Sequence, residues 1–134
     1  MTIKNLIAVA TIAVISASTA IADTGLMTKF DDIQWSPMEV SILWGSRDTG
    51  PYAMYLKMPG GFEVPEHAHT YAYEGITIQG DWQHSFAGES KVLPAGSRVV
   101  QPGNAFHGDA CVSTQECVLF IYQDGKGDAL FHSE

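Results

Sequence analysis

Three histidines and one glutamate stand at spacings that suit a single metal site: His67, His69, Glu74 and His107. Side chains alternate between the two faces of a β-strand, so His67 and His69 point the same way if this segment is extended. Glu74 follows at the start of the next extended segment, and His107 lies on a later one. Imidazole nitrogens with one carboxylate suit a divalent transition metal and leave coordination positions open for water or substrate. The pattern predicts a metal held inside a β-structure.

The residues around the first two histidines resemble the first motif of the cupin family, G-x5-H-x-H-x4-E-x6-G. The corresponding positions here are Gly61, His67, His69, Glu74 and Gly80, with the last gap one residue short.

The second cupin motif, G-x5-P-x-G-x2-H-x3-N, resembles the stretch that runs from Gly96 through Pro102 to His107. Asn104 stands where the family has glycine, a mild change because Asn tolerates left-handed backbone. Cys111 replaces the terminal asparagine, which is a larger departure.

This resemblance covers most of the chain after residue 40. The chain is most similar to small secreted single-domain cupins and to the cupin modules of ChrR-like regulators. It implies that His67, His69, Glu74 and His107 are the ligands of one divalent transition metal. Fe(II), Mn(II), Ni(II), Cu(II) and Zn(II) all accept such a set, so the identity of the metal stays open.

Short β-rich segments separated by Gly- and Pro-containing turns predict an all-β fold. The expected architecture is a small cupin-type β-barrel, or double-stranded jelly roll, around a cavity about one ligand wide. The predicted strands are 40–44, 53–58, 63–69, 74–80, 82–86, 91–93, 98–101, 105–111 and 117–123.

The chain divides into three predicted parts: a signal peptide over 1–22, an extended arm over 23–39 and the cupin domain over 40–134. Lys4, the apolar run Leu6–Ile15 and the small-x-small sequence Ala20-Ile21-Ala22 are typical of an exported protein cleaved before Asp23. We therefore expect a periplasmic or extracellular location. The arm carries Phe30, Ile33 and Trp35, which would cover either a sheet edge or a partner subunit in a homodimer.

The net charge of −8 falls to −9 when Lys4 is removed with the leader, which contains no acidic residue. Such a surface is poor for nucleic acid, whose phosphates need basic partners, and for anionic membranes after cleavage. The expected partner is a small-molecule ligand or substrate.

Two cysteines, Cys111 and Cys117, flank a short loop. In an exported protein a disulfide is the favoured state, with the cysteines facing each other across a hairpin. A reactive thiol beside the metal is the alternative, because Cys111 lies four residues after His107.

Three further residues are candidates for catalysis. If His107 points inward, Asp109 does too, and it would accept a hydrogen bond from a ligand histidine or from metal-bound water. His84 follows a tight turn; an ordinary half-buried histidine is the favoured interpretation, and a cavity-facing general base or fifth ligand is the functional alternative. Tyr71 continues the alternation of His67 and His69 toward the pocket.

Two functional hypotheses follow. The first is a metalloenzyme acting on a small oxygenated molecule, a carboxylate or carbonyl compound, as a dioxygenase, isomerase or lyase of cupin type. The second is a non-catalytic cupin module that binds or senses a metal or small ligand. The proton carriers suggested by His84, Asp109 and Tyr71 favour the enzyme, and the fold alone does not choose between them.

Overall fold

The computed structural model describes residues 26–36 and 39–133. The predicted signal peptide lies outside these residues. Within them, no helix is long and apolar enough to cross a membrane. After one 3₁₀ turn, Phe30–Asp32, the chain forms ten strands: β1 Val40–Gly45, β2 Tyr52–Met58, β3 Glu63–Ala68, β4 Tyr73–Gln79, β5 Asp81–Phe86, β6 Glu89–Pro94, β7 Arg98–Gln101, β8 His107–Cys111, β9 Cys117–Gln123 and β10 Leu130–Phe131.

The strands form two antiparallel sheets that enclose the core. Sheet I has the order β1-β2-β9-β4-β7, and sheet II has the order β10-β3-β8-β5-β6. The all-β jelly-roll prediction is confirmed, and the nine predicted strands agree with β1 to β9 to within two residues at most ends. The short strand β10, which pairs with β3, was not predicted because its two residues carry no periodic signal.

Alternation along the strands fills the space between the sheets. On β2 and β9 the inward residues pair as Tyr52 with Gln123, Met54 with Ile121, Leu56 with Leu119 and Met58 with Cys117. The interior therefore changes along these strands from polar at the first pair to apolar and sulfur-containing at the last. Trp82 on β5 and Cys111 on β8, paired in sheet II, lie in the same buried core.

A disulfide joins Cys111 to Cys117. The bond is the predicted one, but its setting differs from the predicted hairpin. Cys111 ends β8 in sheet II and Cys117 begins β9 in sheet I, so these strands do not pair with each other. The disulfide therefore links the two sheets, and no free cysteine remains to act as a thiol near the metal.

The N-terminal arm packs against the outer face of sheet I. The ring centroid of Phe30 lies 6.2 Å from that of Trp35 and 5.8 Å from that of Tyr55 on β2. The ammonium of Lys57 lies 4.1 Å from the centre of the Trp35 ring. Two roles were predicted for the arm: covering a sheet edge or covering a partner subunit. These contacts agree with the arm covering a sheet of its own chain.

Candidate metal centre

Three of the four predicted ligands converge on the inner face of sheet II. His67 on β3 pairs across the sheet with His107, the first residue of β8, and His69 follows the end of β3. The ring centroid of His67 lies 4.4 Å from that of His107 and 4.9 Å from that of His69. One nitrogen from each of the three rings lies within 4.8 Å of the other two. This spacing suits three nitrogen ligands around one ion.

Backbone carbonyls hold all three rings in the same tautomer. The Nδ1 atom of His67 lies 2.8 Å from the oxygen of Pro65, and that of His107 lies 3.2 Å from the oxygen of Ala105. The Nδ1 atom of His69 contacts the oxygen of Asp128. A carbonyl oxygen can only accept, so each Nδ1 donates its hydrogen and each Nε2 keeps a lone pair. Metal-binding histidines commonly have this arrangement.

Asp128 also fixes the loop that carries His69. Its carboxylate accepts one hydrogen bond from the backbone nitrogen of Thr70, at 2.9 Å, and a second from the Thr70 hydroxyl. His69 is thus oriented from two sides: by its own loop and by a segment 59 residues further along the chain.

The Nε2 atom of His107 is the observation that tests whether a metal fits. It is fully buried and makes no hydrogen bond among the described residues, since the Asp109 carboxylate oxygen 3.4 Å away has no hydrogen to donate to its lone pair. Buried polar atoms are nearly always paired, so an unpaired one needs an explanation. Burial lowers the pKa of both His67 and His69, which favours the neutral imidazole that a metal requires. The three histidines therefore fit a metal ion.

Asp109 lies beside this cluster, as predicted from its alternation with His107. Its Oδ1 atom accepts a hydrogen bond of 2.7 Å from the Trp82 indole, and its Oδ2 atom lies 3.4 Å from Nε2 of His107 and 4.0 Å from Nε2 of His67. Burial alone would raise the pKa of Asp109, but its contacts with His107 and His84 outweigh burial and hold the pKa well below its usual range. The group is therefore a carboxylate.

His84 lies behind Asp109 and does not line the cavity, so the functional alternative of a cavity-facing base or fifth ligand does not fit its position. Its Nδ1 atom lies 2.8 Å from Oδ1 of Asp109, and its Nε2 atom lies 3.1 Å from Oε1 of Gln101. Gln101 in turn donates to the backbone oxygen of Ala105. Both ring nitrogens are thus engaged, and His84 orients Asp109.

Glu74 does not join the cluster, which corrects the predicted ligand set. Its carboxylate accepts hydrogen bonds from Arg98 Nε and Nη2, at 3.0 and 2.7 Å, on the exposed face of sheet I. The physical reason is register: pairing of β4 with β7 and β9 turns Tyr73 inward, and its neighbour Glu74 therefore takes the outer face. Ile76 and Ile78, which share a face of β4 with Glu74 by alternation, are exposed with it.

Tyr73 takes the inward position that was assigned to Glu74. Its ring centroid lies 5.5 Å from that of His69 and 5.6 Å from that of His107. Burial raises the pKa of Tyr73 well above its usual value, and the nearby Asp109 charge adds to the rise. The sequence contains a signal for this residue: counted from Tyr73, six residues precede Gly80, which is the gap of the first cupin motif.

Tyr71 does not point into the pocket as predicted. Strand β3 ends at Ala68, so the alternation that begins with His67 does not extend to Tyr71. The ring lies instead against Gly125, where a β-carbon would collide with it, and 40 % of the residue is exposed.

A cavity of about 440 Å³ adjoins the histidines. Its polar wall includes His67, His69, Tyr73 and Asp109. The rest is mainly apolar and comes from both sheets and their connections, with Met54, Leu56, Met58, Phe62, Val64, Leu119 and Ile121 among the lining residues. The arrangement places three histidines that could hold a metal ion beside an apolar chamber large enough for a small molecule.

Comparison with known proteins gives one family and many similar folds. A model of the ChrR cupin-like domain matches residues 23–125. The structure of KdgF from Halomonas sp. is 21 % identical with a TM-score of 0.60, covering 75 % of this chain and 94 % of that one. The cupin domain of Schizosaccharomyces pombe Cnp3 is 11 % identical with a TM-score of 0.65, covering 75 % and 70 %.

A third similar structure, an oxalate oxidase in complex with the substrate analogue glycolate, is 15 % identical with a TM-score of 0.59 and covers 83 % of this chain and 66 % of that one. No curated protein sequence matches the chain. At these identities the solved structures establish the fold.

Proposed function

Because the chain belongs to the ChrR cupin-like family, we propose that it is an exported metal-binding cupin and that it acts as a metalloenzyme on a small carboxylate or carbonyl compound. The observation that carries the proposal is the convergence of three oriented imidazoles beside a cavity: His67 and His69 line it, and the Nε2 atom of His107 is buried next to them without a hydrogen-bond partner. Oxalate oxidase, a protein of similar fold, bears the name of such an enzyme.

His67, His69 and His107 would hold the metal, with Oδ2 of Asp109 as the neighbouring carboxylate oxygen in place of Glu74. A divalent ion there would polarise a bound carbonyl or carboxylate oxygen or lower the pKa of bound water. Iron, manganese, nickel, copper and zinc all accept these donors.

Tyr73 is the proton-bearing group of the proposed site. Its raised pKa keeps the hydroxyl protonated at neutral pH, so it would donate a hydrogen bond to an oxygen that gains negative charge. Asp109, held by Trp82 and His84, keeps its carboxylate in one orientation. The apolar residues of the cavity exclude water, which strengthens the hydrogen bond from Tyr73 and the electrostatic effect of Asp109.

A non-catalytic binding module is the second candidate. It is favoured by the engagement of His84 and of Oδ1 of Asp109 within the protein, which leaves fewer free proton carriers than an acid–base enzyme commonly has. Replacing Tyr73 with Phe distinguishes the two functions. In an enzyme the variant loses turnover of a substrate found by screening carboxylates and carbonyl compounds, whereas in a binding module no substrate turns over and ligand affinity alone changes.

Export is the third part of the proposal, and the disulfide between Cys111 and Cys117 supports it because such bonds persist in oxidising compartments. Mass spectrometry of protein from its native compartment should show Asp23 as the first residue. A mature protein that retains Met1 would contradict export by cleavage at Ala22.

Elemental analysis of the purified protein tests the metal site. His107→Ala should lower metal occupancy to about a tenth or less, because it removes the buried nitrogen at the centre of the cluster. His132→Ala is the matched control, since His132 is an exposed histidine paired with Glu66. Equal metal content in folded wild type and His107→Ala would refute the proposed site.

A further inference from the structure

Arg47, in the connection between β1 and β2, is a cationic group on the wall of the same cavity. Its side chain makes no ion pair with a carboxylate of residues 26–36 or 39–133, its Nε atom is fully buried without a partner, and the polar group beside it is the Tyr52 hydroxyl. Lys57, the other cation at the cavity, is engaged by Glu116 at 3.7 Å and by the Trp35 ring. Arg47 is therefore the cation available to a ligand.

A buried N–H of a guanidinium without an acceptor is unfavourable, because that donor has lost water and gained nothing in return. The fork of Arg matches the two oxygens of a carboxylate, and such charge-assisted pairs are among the stronger hydrogen bonds in proteins. The apolar remainder of the cavity suits a small organic acid better than a strongly hydrated ion.

The surroundings hold Arg47 in one place. Its guanidinium carbon lies 5.8 Å from the centre of the Tyr52 ring, and the Tyr52 hydroxyl donates to Oε1 of Gln123 at 2.9 Å. A β-carbon on Gly127 would lie 3.0 Å from both Nε of Arg47 and the Tyr52 hydroxyl oxygen. The backbone of Gly127 thus covers the Nε side, which leaves the terminal nitrogens as the part of the guanidinium available to a ligand.

We propose that Arg47 is a carboxylate-binding subsite and that the natural ligand carries a carboxylate there and a second oxygen group at the histidine cluster. Short dicarboxylates, hydroxy acids and keto acids have this chemistry. The part of the proposal that concerns the second oxygen group rests on the proposed metal site, whereas the contact with Arg47 does not.

Calorimetric titration with malonate, succinate and glutarate tests the subsite in metal-free protein and again after metal loading. At least one of these acids should bind the metal-free wild type, and Arg47→Met should weaken that binding roughly tenfold or more, the size expected for one charge-assisted contact. Lys91→Met is the control because it removes the same charge from an exposed site. Arg47→Lys should fall between wild type and Arg47→Met, since the charge remains without the fork.

Circular dichroism tests whether each variant is folded. If Arg47→Met does not fold, Arg47→Gln replaces it in the titrations. Equal affinity of wild type and Arg47 variants, equal weakening by Lys91→Met, or no binding of any of the three acids to the wild type would overturn the subsite. Tighter binding of inorganic phosphate than of every carboxylate would overturn the proposed ligand class. If the wild type binds no metal but Arg47→Met still weakens binding of the acid, only the proposed metal site is refuted.

Discussion

The two ends of the barrel interior differ in how their side chains are held. At the polar end, Tyr52, Gln123, Tyr73 and Gln101 form a row across sheet I, with Tyr73 close to His69 and His107. The heteroatoms of Tyr52, Gln123 and Gln101 are oriented by hydrogen bonds to named backbone or side-chain atoms. At the apolar end, Met58, Leu119 and the disulfide fill space and need shape rather than direction.

This contrast separates stability from chemistry. Apolar burial supplies most of the free energy of folding, whereas buried polar groups contribute little net stability and require complete pairing. We therefore expect changes at the apolar end to lower the free energy of unfolding and to spare the metal. Changes at the polar end should do the reverse.

Leu119→Ala should have the largest effect on stability. Leu119 is 2 % exposed, and removing its buried methyl groups should cost about 3 kcal/mol of the free energy of unfolding. Urea denaturation measures the loss, and elemental analysis should find the metal content unchanged. Val100→Ala is the control, because Val100 is 57 % exposed on the outer face of sheet I. Loss of metal in folded Leu119→Ala protein would show that the two ends are not independent.

Replacing both Cys111 and Cys117 with Ala should come next, at about 2 kcal/mol, because the disulfide closes only a short loop. The same denaturation experiment measures this change, with the wild type under reducing conditions as a second route to the open form. The metal content should again be unaltered. A variant as stable as the wild type would mean that packing between β8 and β9 suffices to join the sheets.

Asp128→Ala tests the polar end. The carboxylate holds Thr70, and the backbone oxygen of Asp128 orients His69, so the change should weaken metal affinity about tenfold, or about 1.4 kcal/mol. Competition with a chromogenic chelator measures the affinity. Asp124→Ala, a change of an exposed acid in the same segment, should leave it at the wild-type value. If both substitutions weakened metal affinity equally, the loss of negative charge, and not the loss of His69 orientation, would be the cause.

Glu74→Gln should have the smallest effect. The exposed pair of Glu74 and Arg98 should contribute less than about 1 kcal/mol, and the metal content should not change, because Glu74 lies on the outer face. Elemental analysis compares the metal content of Glu74→Gln with that of Asp109→Asn, because Asp109 is the carboxylate next to the histidines. If Glu74→Gln lost the metal and Asp109→Asn kept it, the register seen for β4 would be wrong.

The strands, the three histidines and the disulfide pairing could be predicted because their signals are local. Alternating apolar residues, turn residues between them and fixed spacings within a motif all act over a few positions. An extended segment was enough to predict that His67 and His69 share a face. For His107 it was enough to predict a strand that faces the same interior.

The errors arose where a face or a partner depends on distant parts of the chain. Glu74 and Tyr73 are neighbours, and pairing of β4 with β7 and β9 decides which of them points inward. The partners of His84 and His69 lie 25 and 59 residues away. Arg47 carries no motif, and its importance appears only when the cavity is assembled.

The contacts between Asp128, Thr70 and His69 have a consequence for rates. His69 takes its orientation from a segment that is anchored by backbone hydrogen bonds from Asp124 to Ala72 and from Gly127 to Arg47. Detachment of this segment, a local opening that needs less free energy than global unfolding, would release one of three ligands at once. The dissociation rate of a bound ion should therefore rise in parallel with amide hydrogen exchange at Thr70, while exchange in β9 stays slow.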